Sequence, residues 1–305
     1  MISRRFESSP PAPGCFAGAL RRAPLVGLLA LASPLRALGS DTLAVSVEPS
    51  TVSLGGLAVV RVGGHGVRGT FEGKPLRFFT AGGGGKAALV GIDLEHPAGR
   101  FPIEVFAGRE RARTELAVLE SEYPEERLTV PPAYTAPDPA TLRRIEREQQ
   151  RLAALWERSG AERSWRGAFL PPTDGAPGSP FGLRRFFNGE PRSPHAGIDF
   201  RAPRGAAVRA ANRGRVALAD DLFFTGKTVV VDHGCGLFTL YVHLSRLATR
   251  AGALVDKGQE IGKVGSTGRA TGPHLHFAAR VGEARIDPAG LLGRDPAAIG
   301  EGGTR

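Results

Sequence analysis

The most informative part of the sequence is residues 193–208, which read SPHAGIDFRAPRGAAV. It places a histidine, His195, four residues before a carboxylate, Asp199. Residues four apart share a face in an extended segment, and nearly so in a helix, so the two side chains can meet at one point. Imidazole nitrogen and carboxylate oxygen are among the ligands that a zinc ion accepts.

A second stretch, GRATGPHLHF at residues 268–277, supplies two more imidazoles. In a strand, His274 and His276 project to one side, and the apolar residues that alternate with them enter the opposite layer. A catalytic zinc site usually has three protein ligands and keeps a fourth position for water. Three groups from the two stretches would fill that role. One imidazole of the pair, together with His243, would remain for proton transfer or charge stabilisation.

The rest of the chain is organised as short strands around one helix. Seven β-rich runs between Thr42 and Leu119, separated by Gly and Pro clusters, predict a small N-terminal sandwich or barrel. After a Pro-rich connector, an amphipathic helix is expected to begin at Asp138 and to stop near Gly160. We assign four regions: an N-terminal β domain at 40–120, a connector with its helix at 121–180, the domain with the histidine motifs at 181–293, and a flexible tail at 294–305.

Residues 1–39 have the pattern of a secretory signal peptide. Arg21 and Arg22 precede a short apolar core at residues 25–32, and small residues lead up to Ser40. That core is far below the roughly 20 apolar residues that a bilayer span requires. We therefore expect an exported protein with no transmembrane segment in the mature chain. The expected location is the periplasm or cell envelope, with secretion as the alternative.

Composition narrows the possible partners. The 305-residue chain has a net charge of +10, of which residues 1–39 contribute +4, and the remaining +6 would favour approach to an anionic cell wall. There is no block of roughly 5–8 consecutive lysines and arginines, and Tyr and Trp are scarce, so no nucleic-acid partner is expected. Two cysteines cannot build a disulfide scaffold, and Cys235 is expected to serve as a packing residue.

From about Phe187 to Pro288 the sequence resembles the LytM/lysostaphin-type zinc metallopeptidases, metallopeptidase family twenty-three, which cut peptidoglycan peptides. The resemblance rests on these motifs: HAGID at 195–199, APRGAAV at 202–208, VDHG at 231–234, YVHL at 241–244 and GRATGPHLHF at 268–277.

The resemblance implies a mainly β protein whose second domain has an antiparallel β core with the metal in a groove. It assigns the ligands of one Zn²⁺ per chain as His195, Asp199 and His276. It assigns the unligated pair beside the attacking water as His243 and His274, without deciding which is the general base. His233 matches a family position that is not a ligand, and we interpret it as structural.

The expected function is that of an exported, monomeric zinc endopeptidase that hydrolyses peptide bonds of peptidoglycan stem peptides or cross-links. A non-catalytic LytM-like module that binds the cell wall or activates an amidase is the alternative. A zinc hydrolase acting on another peptide or amide is a third possibility. Two roles are open for the N-terminal β domain, namely attachment to the wall and occlusion of the zinc groove.

Overall fold

The structure is a computed structural model that describes residues 43–129 and 138–300. The signal segment expected at 1–39 and the end of the expected tail, 301–305, lie outside the described residues. Within them the protein is mainly β with one α-helix, which confirms the predicted fold class. No helix in these two ranges is long and apolar enough to cross a membrane.

Two sheets form the N-terminal β domain. The strands before the helix are β1 (Val45–Glu48), β2 (Thr51–Ser53), β3 (Leu57–Val62), β4 (Val67–Phe71), β5 (Lys74–Pro75), β6 (Phe78–Thr80), β7 (Lys86–Gly91), β8 (Gly99–Ala107), β9 (Glu110–Leu119) and β10 (Glu125–Leu128). One sheet has the order β1-β3-β7-β6 and the other β2-β9-β8-β4-β5. Val60, Ile103 and Leu116 are fully buried in one cluster formed by both sheets, so the domain is a sandwich, as predicted.

The helix α1 spans Pro139–Glu157 and begins where the sequence predicts. The carboxylate of Asp138 caps it by accepting hydrogen bonds from two backbone N–H groups of the first turn. Near its C-terminal end Trp156 is buried against Phe238, with ring centroids 5.2 Å apart. Leu142, which the spacing places on the apolar face, is 45% exposed. The helix therefore docks through Ile145 and Trp156, while Leu142 stays exposed.

The strands of the second domain form mainly antiparallel sheets. They are β11 (Ala176–Pro177), β12 (Arg184–Phe187), β13 (Glu190–Arg192), β14 (Gly197–Arg201), β15 (Ala207–Arg209), β16 (Gly214–Leu222), β17 (Gly226–Asp232), β18 (Leu237–Leu244), β19 (Arg246–Leu247), β20 (Leu254–Val255), β21 (Glu260–Lys263), β22 (Leu275–Val281) and β23 (Ala284–Ile286). The main sheet has the order β11-β14-β22-β18-β17-β16-β20, and β23 pairs with β22. Smaller sheets have the orders β15-β21-β19 and β10-β12-β13, and β10 runs parallel to β12.

Side chains along β22 alternate between the buried core and the opposite face of the sheet. Leu275 and Phe277 are fully buried in the main hydrophobic cluster. His276 and Arg280 project to the opposite face, where the Arg280 guanidinium lies 4.8 Å from the centre of the Trp156 ring of α1. The helix covers this face around Arg280, and His276 lies further along the same face of the strand.

The N-terminal sandwich shares its packing with the second domain. Phe79 of β6 belongs to the same buried cluster as Trp165 and Phe169 of the connector, and its ring stands edge-on to Trp165 at 5.2 Å. Arg285 of β23 adds an ion pair, with its Nε donating to Asp93 at 2.9 Å. The described residues from Leu43 onward accordingly belong to one compact unit.

Residues 294–300 differ from the flexible tail expected from the sequence. Pro296–Ala298 form a 3₁₀ turn, and Ala297 is buried. The guanidinium of Arg61 donates to the carbonyls of Ala297 at 2.6 Å and Ile299 at 2.8 Å. A strand more than 200 positions earlier therefore contacts these residues through side-chain hydrogen bonds.

His233 is a buried structural residue, as the sequence analysis interprets it. Its Nδ1–H donates to the Arg213 carbonyl at 2.8 Å, and its Nε2 accepts from the Thr239 hydroxyl at 2.8 Å. Both nitrogens are used in the neutral form, and burial lowers the pKa of His233 to about 4.

This burial predicts a pH-dependent loss of stability. An unfolded histidine has a pKa near 6.5, so the stabilisation is complete above that pH and is lost as the pH falls towards 4, by up to about 3 kcal/mol. Denaturant unfolding of the metal-free protein at several pH values between 7 and 4 measures the loss. His233→Asn, which removes the titrating group, should show a smaller decrease over the same range. An equal decrease in both proteins would contradict the assignment.

Candidate metal centre

Strand pairing brings the two histidine motifs together. In the β14–β22 ladder Asp199 lies directly opposite His276, so both side chains leave the same face of the sheet. His276 Nδ1 lies 3.0 Å from Asp199 Oδ1. Gly197 permits this approach, since a β-carbon there would lie 2.8 Å from two atoms of the His276 ring.

His195 completes the group from the loop before β14. Its Nε2 lies 2.9 Å from Asp199 Oδ1 and 2.8 Å from His276 Nδ1. Its Nδ1–H donates to the carbonyl of Pro180 at 2.7 Å. Because a carbonyl can only accept, this hydrogen bond keeps a proton on Nδ1 and leaves Nε2 as the nitrogen that can bind a metal.

The donor set fits a zinc ion. Two imidazole nitrogens and one carboxylate oxygen converge with 2.8–3.0 Å between them. Tetrahedral zinc with bonds of about 2.0–2.2 Å needs ligand atoms roughly 3.3 Å apart, so small outward shifts are enough. Burial alone would raise the pKa of Asp199, but its contacts with His195 and His276 outweigh burial and hold that pKa well below its usual range. The carboxylate is therefore ionised.

A third imidazole, that of His274, lies next to this group. His274 Nε2 is 3.9 Å from Asp199 Oδ1. Its Nδ1–H donates to the Gly272 carbonyl at 2.9 Å, which leaves Nε2 with a lone pair in the neutral ring. His274 thus lies close to the three predicted ligands. Its Nε2 is farther from the Asp199 carboxylate than the ring nitrogens of His195 and His276 are.

The fourth imidazole, that of His243, reaches the site through a bulge in β18. Regular alternation would put His243 on the core side with Tyr241, but the β17–β18 register shifts between Lys227 and Val229. His243 has a φ of 63°, a region that residues other than glycine seldom adopt. The bulge re-aims the side chain, as bulges beside functional sites do.

The ring of His243 lies among the site imidazoles. Its centroid is 4.9 Å from that of His274 and 6.2 Å from that of His276. Its Nδ1–H donates to the Thr267 carbonyl at 2.8 Å. Burial lowers the pKa of His243 to about 4, so the ring is neutral at neutral pH.

All five residues selected from the sequence meet at this site. The groups that orient three of them, the backbone carbonyls of Pro180, Thr267 and Gly272, are not among the residues predicted from the sequence. Any residue type can supply a carbonyl, so no side-chain signal in the sequence could have identified these three positions.

Comparison with known proteins gives concordant matches. A family model described as Peptidase family M23 matches residues 193–288. The DD-carboxypeptidase/endopeptidase Mpg of Neisseria meningitidis is 41% identical over 113 residues, which are 37% of this chain and 26% of that protein. The peptidoglycan DD-endopeptidase ShyA of Vibrio cholerae is 42% identical over 85 residues, 28% of this chain and 20% of that protein. The chain thus spans about a quarter of the length of these curated relatives or less.

A solved structure extends the similarity beyond the histidine motifs. A crystal structure of a peptidase M23 from Pseudomonas aeruginosa matches with a TM-score of 0.67 at 35% identity. The match covers 79% of this chain and 95% of that chain, so it reaches well outside residues 193–288.

The geometry predicts that Gly197→Ala weakens metal binding. The new β-carbon would lie 2.8 Å from His276 Cε1 and Nε2 and 2.4 Å from the Phe277 carbonyl oxygen, so the ring must move. We expect zinc affinity to fall by about tenfold or more, measured by competition with a chromophoric chelator. Gly290→Ala is the control, because a β-carbon there meets nothing within 4 Å and Gly290 lies outside the site. Equal affinities for wild type and Gly197→Ala would contradict the prediction.

Proposed function

Because the chain belongs to peptidase family M23, we propose that it is a zinc-dependent endopeptidase that hydrolyses peptide bonds of peptidoglycan. The observation that carries the proposal is the convergence of His195 Nε2, Asp199 Oδ1 and His276 Nδ1 beside two further imidazoles. Peptidoglycan as substrate is supported by the names of the similar proteins from Neisseria and Vibrio.

His195, Asp199 and His276 would hold the ion. Zinc bound in such a site lowers the pKa of a water molecule from about 15.7 towards 7 and polarises the scissile carbonyl. The contribution of the chain is to fix the three ligand atoms before the ion arrives, through the β14–β22 register and the Pro180 carbonyl. Little reorganisation is then needed when metal binds.

His243 and His274 would carry out the proton transfers. In each ring the Nδ1–H bond to a backbone carbonyl leaves the lone pair on Nε2, so either neutral ring can accept a proton from the attacking water. A ring that has accepted a proton carries an Nε2–H, which can donate to the developing oxyanion or to the leaving amine. The two histidines are equivalent in this respect, and both stay candidates for the general base.

We also propose that the protein acts in the cell envelope. This location is where peptidoglycan is found, and it agrees with the signal-like pattern at residues 1–39 and with the net charge of +6 on the remainder. The positive charge would strengthen long-range attraction to an anionic wall at low ionic strength.

Digestion of purified peptidoglycan tests the proposed reaction. Mass spectrometry of the muropeptides should show new peptide termini, which disappear with chelator and return when zinc is added. Because the products identify the broken bond, the same experiment names the cleavage site. Wall binding or amidase stimulation without new termini would replace the proposal by the non-catalytic alternative. Cleavage of unrelated peptides but not of muropeptides would point to a different zinc hydrolase.

Single substitutions should separate metal binding from proton transfer. His276→Ala removes a ligand atom, so it should abolish both stoichiometric zinc binding and hydrolysis. His243→Ala and His274→Ala should keep zinc, measured by atomic absorption after dialysis, while kcat falls by about 10²–10⁴-fold. Loss of zinc from His243→Ala to the same extent as from His276→Ala would show that the roles are assigned wrongly.

A further inference from the structure

We infer that the N-terminal β domain holds the metal ligands in position, acting through residues 178–183. This inference rests on the proposed metal site and gives the domain a role other than wall attachment or occlusion. Within residues 43–129, no side chain hydrogen-bonds to or stacks on any of the five site residues. Any influence of that part of the domain on the site must therefore pass through an intermediate segment.

Segment 178–183 first contacts the ligand carboxylate residue through its backbone. The N–H of Gly178 donates to the carbonyl of Asp199 at 2.7 Å, and the N–H of Asp199 donates to the carbonyl of Ser179 at 3.0 Å. These bonds extend the pairing of β11 with β14 by two residues. The main chain of Asp199 is consequently held between β22 on one side and segment 178–183 on the other.

The same segment then contacts His195 three times. The N–H of Gly182 donates to the His195 carbonyl at 2.8 Å, and the N–H of His195 donates to the Leu183 carbonyl at 3.0 Å. The third contact is the bond from His195 Nδ1–H to the Pro180 carbonyl at 2.7 Å. The backbone position and the ring orientation of His195 thus both depend on where this segment lies.

The β domain fixes the segment by clamping Phe181. Phe181 is buried, and a β-carbon on Gly55, in the β2–β3 loop, would lie 2.3 Å from its ring. Tyr123 stands edge-on to Phe181 with ring centroids 6.1 Å apart, and a β-carbon on Gly182 would lie 2.0 Å from the Tyr123 ring. The Tyr123 hydroxyl donates to the Leu54 carbonyl at 2.7 Å, which ties the clamp to the same loop.

Phe181 is therefore a positioning residue for the metal site. It is adjacent in the chain to Pro180, so movement of its ring would shift the carbonyl that orients His195. Groups that hydrogen-bond to metal ligands typically affect metal affinity by about 10–100-fold when they are disturbed. The β domain would thereby raise the affinity of a site that it does not itself touch.

The test compares Phe181→Ala with Phe79→Ala in the full chain. Both residues are buried phenylalanines of the contact between the β domain and the rest of the protein, but the ring of Phe79 packs on Trp165, whereas that of Phe181 packs on Tyr123. We measure zinc affinity by chelator competition, the visible spectrum of the Co²⁺-substituted protein, and the thermal midpoint of the metal-free protein.

We expect Phe181→Ala to weaken zinc binding by about 10–100-fold and to change the Co²⁺ spectrum, which reports ligand geometry. Phe79→Ala should lower the thermal midpoint while zinc affinity stays within about twofold of wild type, because distant sites act independently. Equal weakening by both variants would overturn the inference, since it would reflect stability alone. Unchanged affinity and spectrum in Phe181→Ala would overturn it as well.

Phe181→Leu covers the case in which Phe181→Ala does not fold. It keeps an apolar side chain between Gly55 and Tyr123, so it should weaken zinc binding less than the alanine variant. Wild-type affinity with a wild-type spectrum would overturn the inference.

Zinc affinity is measured without substrate, which separates this test from the proposed function. A wild-type protein that binds zinc without cleaving peptidoglycan would refute only the function, and one that binds no zinc would refute both.

Discussion

The register of β14 against β22 is the constraint on which the site depends. Side chains alternate between faces, so the apolar residues and the ligands are fixed by the same pairing. Ile198 lies opposite Phe277 on the core side, and Asp199 lies opposite His276 on the other. A slip of one residue would turn the Asp199 carboxylate into the layer occupied by Phe277, which is fully buried. Because burying a charge without a partner is unfavourable, this register is preferred, and with it the geometry of the proposed metal ligands.

Backbone carbonyl groups orient three of the four histidine rings of the site. His195, His243 and His274 each donate from Nδ1 to a backbone carbonyl, and each keeps Nε2 directed away from that bond. His233 also donates from Nδ1 to a carbonyl, but its Nε2 is taken by Thr239. In the part of the chain that the structure describes, Nε2 of His243 and His274 has no hydrogen-bond partner. The structural imidazole of His233 therefore differs from those of His243 and His274 at the second nitrogen.

The sequence was sufficient for the features that depend on local spacing. Alternation in the HLHF run and the four-residue separation in HAGID predicted the strands and the ligand group, since both are properties of a few consecutive residues. The same alternation would have put His243 on the core side, because a bulge depends on the partner strand. The hydrogen bond from Arg61 to the Ala297 carbonyl could likewise not be predicted, because the two residues are 236 positions apart. The composition around Ala297 favoured a loop.

The N-terminal domain packs against the rest of the protein through apolar side chains and an ion pair. Domains joined by small polar contacts usually move relative to each other, whereas large apolar contacts suppress such motion. Here the ring of Phe79 stands edge-on to Trp165 within the main buried cluster, and Arg285 forms an ion pair with Asp93. Swinging the domain away would expose these side chains to water and separate the ion pair. A domain packed in this way can hold Phe181 at a constant distance from the proposed metal ligands.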